Sequence, residues 1–165
     1  MKKIVLIIGA YFLINASNGF AAPISNLEQG QMSVGIVGGN VTNCYYFEKK
    51  ASTDLTVGIQ SIDNDIDFYG QIDISNLTLA NNPKIIIGIR KLDSVSKTYL
   101  GAALTLPLTD SVNGYSSLIA GSGLKELQLG ITQQIADTVA LNLNYRIVKH
   151  NGTKDSFGLG LNCRI

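Results

Sequence analysis

From Met32 to the last residue, one theme recurs: eight to eleven residues that alternate between apolar and small or polar, then a brief turn rich in Gly, Asn, Asp or Ser. Alternation with a period of two places successive side chains on opposite faces, which is the signature of a β-strand. The apolar faces read Met32, Val34, Ile36, then Val41, Tyr45, Phe47, then Leu55, Val57, Ile59, then Ile66, Phe68, Ile72, Ile74. They continue through Ile85, Ile87, Ile89, through Leu100, Ala102, Leu104, Leu106, and through Tyr115, Ser117, Ile119. Leu127, Leu129, Ile131 and Val139, Leu141, Leu143, Tyr145, Ile147 follow, and Phe157, Leu159, Leu161, Cys163, Ile165 close the chain. The pattern predicts about ten strands, with eight as the alternative count; the second and seventh alternate most weakly. Ala22 to Gln31 has no period and reads as an irregular lead-in.

The opposite faces decide which way the strands look. They carry Gly35, Gly58, Gly88, Gly101, Gly130 and Gly160 near mid-strand, with Thr56, Gln60, Gln71, Gln128, Thr132, Asn142, Asn144 and Asn162 around them. A soluble sandwich turns its polar face to water and fills it with Lys and Glu, and glycine weakens its strands. A Gly, Asn, Gln and Thr face suits a crowded interior instead, with the apolar face turned to lipid. The turns Gly38-Gly-Asn40, Asp63-Asn-Asp65 and Asn151-Gly152 favour hairpins, and Asn81-Asn-Pro83 ends a longer connection. No gap holds a useful crossover helix, so the sheet is expected to be antiparallel and up-and-down.

Composition agrees: 15% of residues are charged, against about 25% in an average soluble domain. Met1-Lys-Lys3, the eleven-residue run Ile4–Ile14 and the small and polar Asn15–Ala22 have the layout of a secretory signal peptide. A transmembrane helix needs about 20 apolar residues. Cleavage is expected after Ala21, dividing the chain into a leader, 1–21, and one barrel domain, 22–165. With the leader's two lysines gone, eleven basic residues face twelve acidic ones, a balance that suits no nucleic-acid partner. Export permits disulfides, but Cys44 falls on the polar face of the second strand and Cys163 on the apolar face of the last. With the first strand between them, both read as free thiols. No metal site or cofactor is expected, since CxxC is absent and His150 is the only histidine.

On these residues the chain resembles the small outer-membrane β-barrels of double-membraned bacteria, the OmpA/OmpX-like class. The resemblance lies in pattern and length across the mature chain. It implies an all-β, antiparallel, up-and-down transmembrane barrel in the outer membrane, both termini periplasmic, with outer-membrane lipids and the barrel-assembly machinery as partners. That class's closing-strand signal is similar to Gly160, Cys163 and Ile165, although Ile ends this chain and Cys stands where an aromatic is usual. Aromatic girdles would rest on Tyr45, Phe47, Phe68, Tyr99, Tyr115, Tyr145 and Phe157.

The candidate chemistry is a lumenal charge network: Glu48, Asp67, Asp73 and Glu126 against Arg90, Arg146 and Arg164. Buried charges persist when paired and hydrogen-bonded, and a narrow barrel is filled by side chains, so an internal ion-pair plug is expected, with a selectivity lining for a narrow channel as the alternative. His150, close to Ser156, is weighed as part of a hydrolytic triad and reads instead as a solvated turn residue. Asn40-Val-Thr42, Asn76-Leu-Thr78 and Asn151-Gly-Thr153 match a glycosylation sequon by chance, and Gly158-Leu-Gly160 is not a phosphate loop. The short turns leave no large binding loop. The expected role is structural, a non-enzymatic barrel supporting membrane integrity; a secreted soluble barrel binding a lipid or small molecule is the alternative from another class.

Overall fold

The computed structural model of the chain describes residues 24–39, 43–62, 65–74, 83–92 and 94–165. The leader and its cleavage point, the sequons at Asn40 and Asn76, Val41, and most of the turns at 38–40, 63–65 and 81–83 lie outside these residues.

Ten strands form in chain order: β1 (Met32–Gly39), β2 (Asn43–Lys50), β3 (Leu55–Ile62), β4 (Asp65–Asp73), β5 (Lys84–Leu92), β6 (Val95–Pro107), β7 (Val112–Gly121), β8 (Leu124–Gln134), β9 (Val139–Lys149) and β10 (Thr153–Arg164). Each pairs antiparallel with the next, and β10 returns to β1, from Ser33 opposite Arg164 to Gly39 opposite Gly158. Met32 and Ile165 exchange backbone hydrogen bonds of 2.9 Å in both directions, so the seam is paired to the last residue. The result is a closed, up-and-down, ten-strand barrel with no free sheet edge, and no helix occurs among the described residues.

An even number of strands puts both ends of the domain on one rim, called here the near rim. It also carries the connections 51–54, 74–83, 108–111 and 135–138. The far rim has shorter turns, and at β9–β10 the left-handed Asn151 (φ 50°) and Gly152 (φ 132°) make the reversal.

Burial is inverted relative to a soluble protein. Phe68 is 59% exposed on the outer face while its neighbour Asp67 is 0% exposed inside. Tyr45, Ile87, Leu100, Leu118, Leu129, Leu143 and Phe157 extend the apolar outer belt around the wall, and Glu48, Gln71, Arg90, Gln128 and Asn142 are buried in the lumen.

β7 corrects the expected register. Tyr115, Ser117 and Ile119 point into the lumen, and Leu118 points out between Ser116 and Ala120. The lumen requires bulk at this strand because the flanking β6 and β8 present Gly101 and Gly130 to it; Ile119 covers the first and Tyr115 the second. Tyr99 also leaves the expected aromatic girdle and is buried inside.

Candidate functional site

The lumen is lined first by a repeated joint. Gly35, Gly58, Gly88 and Gly130 lie directly across from Tyr46, Tyr69, Tyr99 and Tyr115 on the adjoining strands. At each glycine an added Cβ would come within 3.0 Å of the tyrosine ring. Each ring therefore folds flat over a bare stretch of neighbouring backbone, the arrangement that rescues strand glycines in curved sheets. Its hydroxyl lies over the glycine too, close against the wall. Gly101 and Gly160 serve a similar close approach, to Ile119 and to β1 at Ile36 and Val37.

In the far half of the lumen four charges form one chain. Arg90 donates through Nε and Nη2 to Asp67 Oδ2, at 2.9 and 2.8 Å, and through Nη1 to Glu126 Oε2 at 2.6 Å. Arg146 Nη2 donates to the same Glu126 oxygen at 2.6 Å. Tyr99 donates its hydroxyl to Asp67 Oδ1 at 2.8 Å, and Gln60 donates to Oδ2 at 2.7 Å. The Arg90 guanidinium also stands 5.5 Å from the centre of the Tyr99 ring. Two arginines thus balance two carboxylates, all buried, tying together β4, β5, β8 and β9. Beyond them, next to the far turns, Val37, Cys44, Ile62 and Leu124 belong to the buried apolar cluster, with Leu92 and Val148 packed against it.

The near half is organised differently. Glu48 Oε1 accepts from Tyr69 at 2.8 Å and from Gln71 at 2.9 Å. Asp73 pairs with both Lys50 and Lys84, which are buried and absent from the expected network. On the opposite wall the groups are neutral: Asn142 donates to the Tyr115 hydroxyl at 3.0 Å and Thr132 Oγ1 at 3.1 Å, and Asn162 donates to Ser33 Oγ and the Tyr46 hydroxyl, both at 2.8 Å. Arg164, expected among the network charges, reaches instead to the Asp137 carbonyl in the β8–β9 turn at 3.2 Å.

The lead-in enters this half. Gly30 (φ 87°) donates to the Lys50 carbonyl at 3.1 Å, Gln31 donates to the Glu28 carbonyl at 3.0 Å, and Gln31 Oε1 accepts from the Glu28 amide at 2.9 Å. This tight reversal sends Ile24–Glu28 back inside the wall, burying Ile24 and Leu27. Ile24 lines a cavity of about 30 Å³ with Gln71, Arg90 and Glu126, and another of about 90 Å³ with Thr105, Asn162 and Arg164. In the sequence, only two isolated apolar residues in a polar stretch mark this behaviour.

No protein-family model and no curated protein matches the chain. Solved structures do. It is similar to the NanC porin, at 7% identity and a TM-score of 0.53, over 81% of this chain and 98% of that one. It is similar to the KdgM porin to the same extent, at 5% identity and a TM-score of 0.53. The fold is that of the outer-membrane β-barrels. At such identities the likeness is one of fold.

Other candidate residues fall outside the lumenal clusters. Both cysteines are free, with Cys44 buried in the lumen and Cys163 on the strand face shared with Leu161. His150 Nδ1 lies 2.9 Å from the Gly123 carbonyl and its Nε2 lies 3.3 Å from Asn151 Nδ2, an arrangement that braces two far turns, while Ser156 is buried on the lumenal face of β10. No group of three or more metal-ligating side chains exists among the described residues.

Proposed function

We propose that this chain is a small integral outer-membrane β-barrel with a structural role in membrane integrity, whose lumen is closed by its own side chains. The observation that carries this reading is the buried Asp67–Arg90–Glu126–Arg146 chain across the lumen, backed by the apolar layer of Val37, Cys44, Ile62 and Leu124. A charge chain of this kind holds its geometry because breaking one pair strands another charge in low dielectric. The outer belt supports insertion among lipids. In this reading a leader, 1–21, is removed after Ala21, the assembly machinery reads Gly160, Cys163 and Ile165, and the near rim is periplasmic. Neither catalysis nor a cofactor is assigned.

A narrow channel is the second reading, favoured by the likeness to barrels named as porins and by the cavities open at the near mouth. A soluble barrel holding a lipid fits poorly, because it would turn its apolar faces inward. Fractionation separates these classes. An integral barrel stays with the membrane pellet after an alkaline wash and migrates differently in SDS gels with and without heating. Release into the supernatant overturns the membrane reading.

A further inference from the structure

Charge is divided unevenly between the two faces of the wall. By strand alternation Glu48, Asp65, Asp67, Asp73 and Glu126 take the lumenal face, which leaves Asp155 as the one carboxylate of the described strands on the outer face. Its Oδ2 accepts from the Tyr145 hydroxyl at 3.4 Å. The outer face carries Lys49 at the near rim and Lys91, Lys125 and Lys149 at the far rim. Two of these stand together, because β8 and β9 set Lys125 directly opposite Lys149. Both are exposed, and neither joins an ion pair among the described residues. Like charges in this position repel. An anion held between the two ammonium groups turns that cost into attraction through charge-assisted hydrogen bonds.

The register also supplies the surroundings. Ala120 of β7 and Thr153 of β10 flank the lysines in the same row, so a small side chain leaves room on one side and a hydroxyl stands on the other. In the next outward row toward mid-barrel, Leu118, Leu127 and Ile147 lie side by side. The lysines therefore mark the upper edge of the apolar belt, and their long stems carry the charge to headgroup level. His150, 2.9 Å from the Gly123 carbonyl, braces the turns that adjoin the two lysine-bearing strand ends. The other outward lysines lack such a setting: Lys49 lies between Met32 and Val57, and Lys91 between Ile66 and Ser96.

From this arrangement we infer that Lys125 and Lys149 form an outer-face site for the headgroup of a membrane lipid bearing a phosphate monoester, with its acyl chains on Leu118, Leu127 and Ile147. Two ammonium groups match the nearly two negative charges of a monoester, and Thr153 adds a hydroxyl donor. The inference rests on the proposed membrane placement of the belt.

Native mass spectrometry of the detergent-purified barrel, offered phosphatidic acid against phosphatidylcholine, tests it. One bound phosphatidic acid per barrel is expected, and Lys125→Gln with Lys149→Gln is expected to lower its occupancy about tenfold. Lys49→Gln with Lys91→Gln removes the same charge elsewhere and is expected to change nothing. Equal losses in the two double variants, or no loss in either, overturn the site in protein whose heat-dependent gel migration shows it folded. Phosphatidylglycerol, a phosphodiester with one charge, is expected to bind more weakly, and equal occupancy overturns the match to a monoester. Inorganic phosphate at the same concentration is expected to displace no lipid, and displacement overturns a site that needs the acyl chains. The alkaline wash reads membrane placement separately: a barrel that stays in the pellet but shows no lysine-dependent lipid loses the site alone, and a released barrel loses both.

Discussion

The two halves of the lumen are made of similar residues and are completed in different ways. In the far half, Asp67, Arg90, Glu126 and Arg146 neutralise one another, Tyr99 and Gln60 fill further positions on Asp67, and an apolar layer excludes water beyond them. The strands alone supply all of this. In the near half the charges gather on one wall, the other wall is amide and hydroxyl, and the space between is filled by a segment that belongs to no strand. Asp73 remains partly exposed there. The contrast teaches that two cations and two carboxylates can be arranged in two ways: in the far half each carboxylate is held by an arginine, and in the near half both lysines gather on Asp73 while Glu48 is held by neutral donors.

Removing one cation from each half measures that difference. Arg90→Met strands Asp67 and crowds Glu126 with one partner fewer, and is expected to cost about 3–5 kcal/mol, as for breaking a buried pair from one side. Lys84→Met leaves Asp73 with Lys50 and some water, and is expected to cost less, about 1.5–3 kcal/mol, the range for a hydrogen bond to a charged group. Urea unfolding of each variant in lipid vesicles gives both values, and equal losses would erase the distinction. The tyrosine joints give an effect smaller than that of Arg90→Met and shared by both halves. Gly130→Val drives a side chain into the Tyr115 ring and is expected to cost about 1–3 kcal/mol. Tyr115→Ala in the same chain should recover part of that loss, which a double-mutant cycle in the same unfolding assay detects.

Much of the fold was legible because strand alternation survives in nearly every segment. In β7 hydrophobicity alone sets the facing wrongly: its lumenal Tyr115 and Ile119 are more apolar than its outward Ser116 and Ala120. The clue lay in the flanking Gly101 and Gly130, whose bare backbones demand a large residue between them. Lys50 shares the parity of Glu48, and Lys84 that of Arg90, so both were reachable from the strand pattern. The Tyr–Gly joints needed the cross-strand register, which no single strand contains. Arg164 has the correct parity but stands at the rim, where a turn carbonyl is closer than any carboxylate of the network. The lead-in has no period, so its inward course follows from tertiary packing of Ile24 and Leu27 and not from local pattern.

Single-channel recording of the wild-type, full-length protein in a planar bilayer tests the proposed closed lumen most directly. With insertion verified by heat-dependent migration of the same preparation, the expected result is a bilayer without conductance steps. Discrete, reproducible steps from the wild type would contradict a lumen sealed by Asp67, Arg90, Glu126 and Arg146.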